Sequence, residues 1–187
     1  VVIGGHMDSW DVGQGAHDDA GGCIAAWRAV TLIKELGLRP RRTLRVVLWT
    51  NEENGSRGSR NYRNEHLNEL ENHILAIESD GGVFAPQGFG FTGNKEARKV
   101  VYDIADLLDP IGAGKITNWG RAPDIAILND EGVPVMSLNV DNSKYFWYHH
   151  TSADTFDKVD YGEFNDCIAA MAIMAYVVAD MEQRLPR

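Results

Sequence analysis

Apolar residues recur along the chain with two different spacings. VVIGG (1–5), TLRVVLWT (43–50), HILAIES (73–79) and VPVMSL (133–138) are short, nearly continuous apolar runs. Runs of that length, rich in Val, Ile and Leu, predict strands buried on both faces. Between them the apolar positions move to a spacing of three or four. Ile24, Trp27, Val30, Ile33 and Leu36 follow it from Asp18 to Leu36, which predicts a helix stopped by Gly37. The polar segment after NEENG reads as helical to about Asn64, helical spacing returns from Lys95 to Leu108 before Pro110, and Asp124 to Asn129 reads as a short helix. A last helix, Tyr161 to Arg184, carries Ile168, Met171, Ala175 and Val178. GGVFAPQGFGFTG (81–93) holds too much glycine and proline for regular structure and reads as a long loop. Asp141 to Asp160 reads as a second loop, rich in aromatics and histidine.

Strands that alternate with helices of this length imply a largely parallel sheet covered on both sides, an α/β three-layer sandwich. With 187 residues, one core is the natural outcome. Val1 stands inside a strand pattern with no initiating Met, so the chain reads as a fragment from which any targeting segment has been lost.

The formal net charge of -9 argues against a nucleic-acid partner, because phosphate binding needs a clustered basic surface. The only basic run, Arg39 to Arg42, falls between a helix and a strand and reads as a solvated loop. No uninterrupted apolar stretch is long enough to span a membrane. Cys23 and Cys167 both sit in apolar helical patterns and read as buried thiols.

Folds of this class bind ligands at the carboxyl ends of their strands. His6 and Asp8 follow the first predicted strand, Glu52 and Glu53 the second, and Asp80 the third. His149, His150 and Asp154 follow the fourth. Each has an ordinary explanation alone: acids such as Asp18 and Asp19 begin helices, and Asp80 could make a turn. All four strands nevertheless deliver metal-competent side chains to one edge of the sheet, and imidazoles with carboxylates suit zinc.

GGHMDSW, GAHDDAGG, NEENG, ESDGG and HHTSADT, in that order, resemble the motifs of the co-catalytic di-zinc exopeptidases. That family includes bacterial leucyl aminopeptidases and glutamate carboxypeptidases, and the likeness is greatest to its carboxypeptidase branch. The double glycine Gly21–Gly22, where many relatives have Ser-Gly, marks the same subgroup. The resemblance implies a zinc-peptidase sandwich of which this chain, 1–187, is the C-terminal part of the catalytic domain, lacking its first strands. The exposed edge left behind would offer a pairing surface to a second copy, a homodimer.

The resemblance further implies two zinc ions. His6 and Asp80 would bind one, Glu53 and His150 the other, and Asp18 would bridge them. His150 is preferred to His149 because the family spacing is His, three residues, then Asp-Thr, here Asp154 and Thr155. Glu52 would be the general base, and Asp8 would orient His6. A cis peptide is expected between Asp18 and Asp19. Tyr145 and Tyr148 are candidate oxyanion donors, and Trp10, Phe89, Phe91 and Trp119 candidate pocket residues. No clamping arginine is assigned, and His17 is a loop residue without a role. The implied reaction is zinc-dependent hydrolysis of a short peptide near one end, by carboxypeptidase, dipeptidase or aminopeptidase action, in a secreted, periplasmic or lysosomal setting. Two rivals are a glutaminyl-cyclase-like acyltransferase with one zinc and a receptor-like module without chemistry.

Overall fold

The first apolar run becomes β1 (Val2–His6), buried along its whole length. A computed structural model describes all 187 residues. In chain order the main elements are β1, α1 (Gly21–Glu35), β2 (Arg45–Trp49), α2 (Arg57–Glu65), β3 (Ala76–Glu78) and β4 (Pro86–Thr92). They continue with α3 (Lys95–Ala105), β5 (Lys115–Thr117), α4 (Pro123–Asp130), β6 (Val135–Val140), the single turn α5 (Tyr145–Tyr148) and α6 (Tyr161–Asp180). The six strands form one sheet in the order β2-β1-β3-β6-β4-β5. β2, β1, β3 and β6 run parallel; β4 pairs antiparallel with β6, and β5 runs parallel to β4. The sheet is therefore mixed, and its four parallel members are the four strands expected from the apolar runs.

The alternation of side chains along each strand separates two cores. Ile3, Ile77, Met136 and Leu138 face a larger cluster built with α1, α3 and α6. Val2, Ala76 and Val135 face a smaller one with Trp49, Ile125 and Leu128. Helices thus cover both faces, as a sheet with parallel crossovers requires. Two helix starts have local causes: Asn94 accepts the Ala97 N–H at 2.7 Å, and Asp160 accepts the Glu163 N–H at 3.0 Å, each satisfying an end donor.

Several expectations need correction. Residues 81–93 are not a loop throughout, because β4 occupies Pro86–Thr92. Phe89 and Phe91 are fully buried and supply the apolar face, while Gly88 and Gly90 let the backbones at Lys115 and Trp119 approach more closely than a Cβ would allow. Glycine here is a packing device within the strand rather than a sign of a loop. The same burial removes Phe89 and Phe91 from the candidate pocket residues. β5 has three residues, too short for an apolar pattern to register.

The first helix starts at Gly21, after a turn at Ala16–Ala20. Its buried face is built from Cys23, Ala25, Ala26, Ala29 and Ile33, while Ile24, Trp27 and Leu36 are exposed. Small residues face the sheet because α1 lies close to β1. α6 ends at Asp180 rather than Arg184.

The run at Arg39–Arg42 is a loop, but it is not simply solvated. The Arg42 guanidinium donates to the Ala179, Met181 and Glu182 carbonyls, where a cation complements the carboxyl end of α6. α6 has the length and composition to cross a membrane. It nonetheless buries Cys167, Met171, Met174, Ala175 and Val178 in the core. Both cysteines are free and buried.

Candidate metal centre

Four parallel strands end at the same edge, and the loops leaving them supply the site. His6, the last residue of β1, is 1% exposed. Its main-chain N–H donates to Asp19 Oδ2 at 2.9 Å, and its Nδ1–H donates to the Asp8 carbonyl at 2.8 Å. This leaves Nε2 aimed at Asp18 Oδ1 and Asp80 Oδ1, each 3.2 Å away. The Asp8 carbonyl therefore orients the ring. The Asp8 carboxylate lies 3.9 Å from Nδ1 and accepts instead the N–H groups of Glu52 at 3.0 Å and Glu53 at 3.3 Å.

The second half of the cluster faces the other oxygen of Asp18. His150 Nε2 is 2.9 Å from Glu53 Oε2 and 3.4 Å from Asp18 Oδ2. His149 Nε2 is 3.6 Å from the same Asp18 oxygen, and its ring stacks on His150 at 3.7 Å. Both imidazoles therefore reach the centre, with His150 nearer to Glu53. The far face of His150 is covered by Trp10, stacked at 4.5 Å. His150 has a φ of 58°, a left-handed conformation that a non-glycine residue adopts only under surrounding constraint.

Two clusters, His6–Asp18–Asp80 and Asp18–His149–His150, thus share Asp18, which is 4% exposed. The peptide that follows it, Asp18–Asp19, is cis.

The electrostatics call for a cation. Burial opposes a charge on His6, yet the carboxylates of Asp18 and Asp80 hold its proton affinity well above the ordinary imidazole range. Burial, followed by the Asp80 charge, pushes Glu52 up to about 7. Asp80 and Glu53 are also raised, chiefly by burial and against the pull of the histidines. Glu78 and Asp124, both fully buried and raised by burial first, add further acid behind the site. Asp18 Oδ2 and Glu53 Oε1 are buried without any hydrogen-bond donor, although such atoms are ordinarily paired. Imidazole nitrogens and carboxylate oxygens converging on one point suit metal ions with borderline ligand preferences.

Sequence reasoning did not assign Asp19, Asp154 or His17. His17, read as a loop residue without a role, is fully buried. It stacks on Phe84 at 4.1 Å and Tyr148 at 5.5 Å, accepts the Val83 N–H at Nδ1, and donates from Nε2 to the Lys158 carbonyl. No spacing rule reports such a sandwich, because its partners come from distant loops. Tyr145 is buried against His149, and Trp119 is exposed.

The sequence pattern of peptidase family M28 matches residues 1–175. The chain belongs to peptidase family M28. Among family members, carboxypeptidase Q of Xenopus laevis is 48% identical over the whole chain, and that of Homo sapiens 46%. The chain spans 40% of the length of each. The M28 peptidase precursor from Shewanella amazonensis, a solved structure, superposes with a TM-score of 0.95 at 38% identity, covering 100% of this chain and 42% of that one. A zinc aminopeptidase from Bacillus subtilis shares the M28 fold at 16% identity and a TM-score of 0.71, over 99% of this chain and 49% of its own.

Proposed function

We propose that this chain carries the catalytic centre of a zinc-dependent exopeptidase acting on short peptides or dipeptides, with carboxypeptidase action favoured by the 46–48% identity to carboxypeptidase Q. The observation that supports it is the pair of donor clusters meeting at Asp18, with Glu52 beside them. His6 and Asp80 would hold one zinc, Glu53 and His150 the other, and Asp18 would bridge. When bound, the ions supply Lewis acidity toward a water molecule and the scissile carbonyl.

Glu52 is the general base. It is adjacent to the ligand Glu53 without belonging to either cluster, and a carboxylate held there can both take and return a proton. It accepts a proton as water adds to the carbonyl carbon, then delivers that proton to the departing amine nitrogen as the C–N bond breaks. Asp8 holds the Glu52 and Glu53 main chain, so base and ligand are placed by one carboxylate. The family resemblance favours a secreted, periplasmic or lysosomal setting for the parent protein.

The experiment is Glu52→Gln with metal analysis. Turnover of dipeptides should fall by roughly 10²–10⁴-fold, the usual contribution of a positioned acid–base, with two zinc ions retained per chain. Loss of zinc along with activity would count against the base role. One zinc in the unaltered protein would favour the glutaminyl-cyclase-like reading.

A further inference from the structure

Asp154 has no part in the chemistry above, yet it is 2% exposed and lies beside the site. It is four residues beyond His150, on the loop after β6, but its side chain serves the loop after β1. One carboxylate oxygen accepts the His17 N–H at 2.8 Å, and the other accepts the Asp18 N–H at 3.1 Å. The Asp154 carbonyl accepts the Gln14 N–H at 3.0 Å, and the Gln14 side chain accepts the Phe156 N–H at 3.1 Å. Close approach of the two loops needs Gly13, where a Cβ would stand 2.6 Å from the Thr151 carbonyl oxygen.

We infer that Asp154 is a positioning residue of the metal centre, locking the main chain of Asp18 and tying the loop that carries the histidines to the loop that carries the bridging acid. The inference rests on the ligand assignment proposed above.

The residue type follows from the task. Asp18 has φ -128° and ψ 77°, outside helical geometry, and its N–H is met by Asp154. Two neighbouring N–H groups then need two acceptors on one short, rigid side chain with no donor of its own. A carboxylate meets that requirement, and its charge strengthens both bonds. Asparagine offers one oxygen and turns an NH₂ toward the second N–H.

The position also matters. Asp18 presents Oδ1 to His6 and Oδ2 to His149 and His150, so a small rotation of its main chain disturbs both halves of the site together. Asp154 touches no ligand side chain. It acts through the main chain, and its loss should weaken metal binding without removing a donor.

The test compares zinc binding to the zinc-free full chain for the unaltered protein, Asp154→Asn and Cys167→Ala, by titration calorimetry. Cys167 is fully buried in the core, and its truncation controls for a general loss of stability. Asp154→Asn should bind zinc about 10- to 100-fold more weakly, the usual effect of losing a group that orients ligands. Cobalt in place of zinc should give an altered visible absorption band in Asp154→Asn and an unaltered one in Cys167→Ala. Amide exchange on the unaltered zinc-free protein should show the His17 and Asp18 N–H groups protected. Folded Asp154→Asn with unaltered zinc affinity and cobalt spectrum overturns the inference. So does exchange of those two amides at open-chain rates, a result that stands even if Asp154→Asn does not fold. An unaltered protein that binds no zinc refutes the ligand assignment itself, and the positioning role falls with it.

Discussion

Asp8→Ala separates the two halves of the centre, because the Asp8 main chain and side chain serve different halves. The carboxylate accepts the Glu52 and Glu53 N–H groups at 3.0 and 3.3 Å, while the carbonyl, which the substitution keeps, accepts from His6. A hydrogen bond to a charged acceptor contributes about 1.5–3 kcal/mol, so two in a dry site would sum to about 3–6 kcal/mol. The side chain is 27% exposed, and water entering the gap replaces part of the loss. We therefore expect a cost of about 1–3 kcal/mol. For a urea slope of about 2 kcal/mol/M, a 2 kcal/mol loss lowers the unfolding midpoint by about 1 M. In zinc titration the half with Glu53 and His150 should weaken, and the half with His6 and Asp80 should hold. Turnover should fall as well, because Glu52 loses its anchor. A midpoint within about 0.2 M of the unaltered protein, with both zinc affinities unchanged, refutes the reasoning. Weakening confined to the His6 half refutes it equally.

Three further outcomes are expected. Gly22→Ala would drive a methyl into the Ser79 carbonyl and the Asp19 carboxylate, a backbone clash that should cost about 1–3 kcal/mol; differential scanning calorimetry showing no fall in Tm would contradict the packing described. Zinc bound at 100 times its Kd should raise stability by about 2.7 kcal/mol, so chelator should lower Tm reversibly, and a Tm indifferent to chelator speaks against a site in the folded state.

His17 and His73 are held below their ordinary imidazole range, first by burial. The unfolded chain therefore takes up these protons near 6.5 and the folded chain only at lower pH. The stability each contributes is complete above about pH 6.5 and drains as pH falls, by at most about 1.4 kcal/mol per pH unit and histidine. His73→Gln should flatten urea midpoints measured between pH 7 and 5. An unchanged pH slope would mean that His73 titrates alike in both states.

Much of the architecture was legible because its signals are local. Four strands buried on both faces leave continuous apolar runs, and the rule that ligands gather at strand carboxyl ends turned those runs into a candidate site. His6, Asp18, Glu53, Asp80 and His150 converge in the structure at ion-pair distances. β4 escaped because its glycines, read as loop formers, are what allow the neighbouring backbones to close on it. Trp27 was read as core because spacing predicts a face without saying which residues the sheet has room for, and α1 packs through alanines.

The sequence by itself determined which metal-competent side chains follow each strand and which edge of the sheet they occupy, because strand order along the chain and side-chain chemistry are local properties. Only the tertiary structure decided how those residues are aimed. The Asp8 carbonyl rather than its carboxylate turns His6, Asp154 reaches across 136 residues to hold Asp18, and His17 closes between loops distant in sequence. Each is a hydrogen bond between groups that folding brings together, and no periodicity in the sequence records such a partnership.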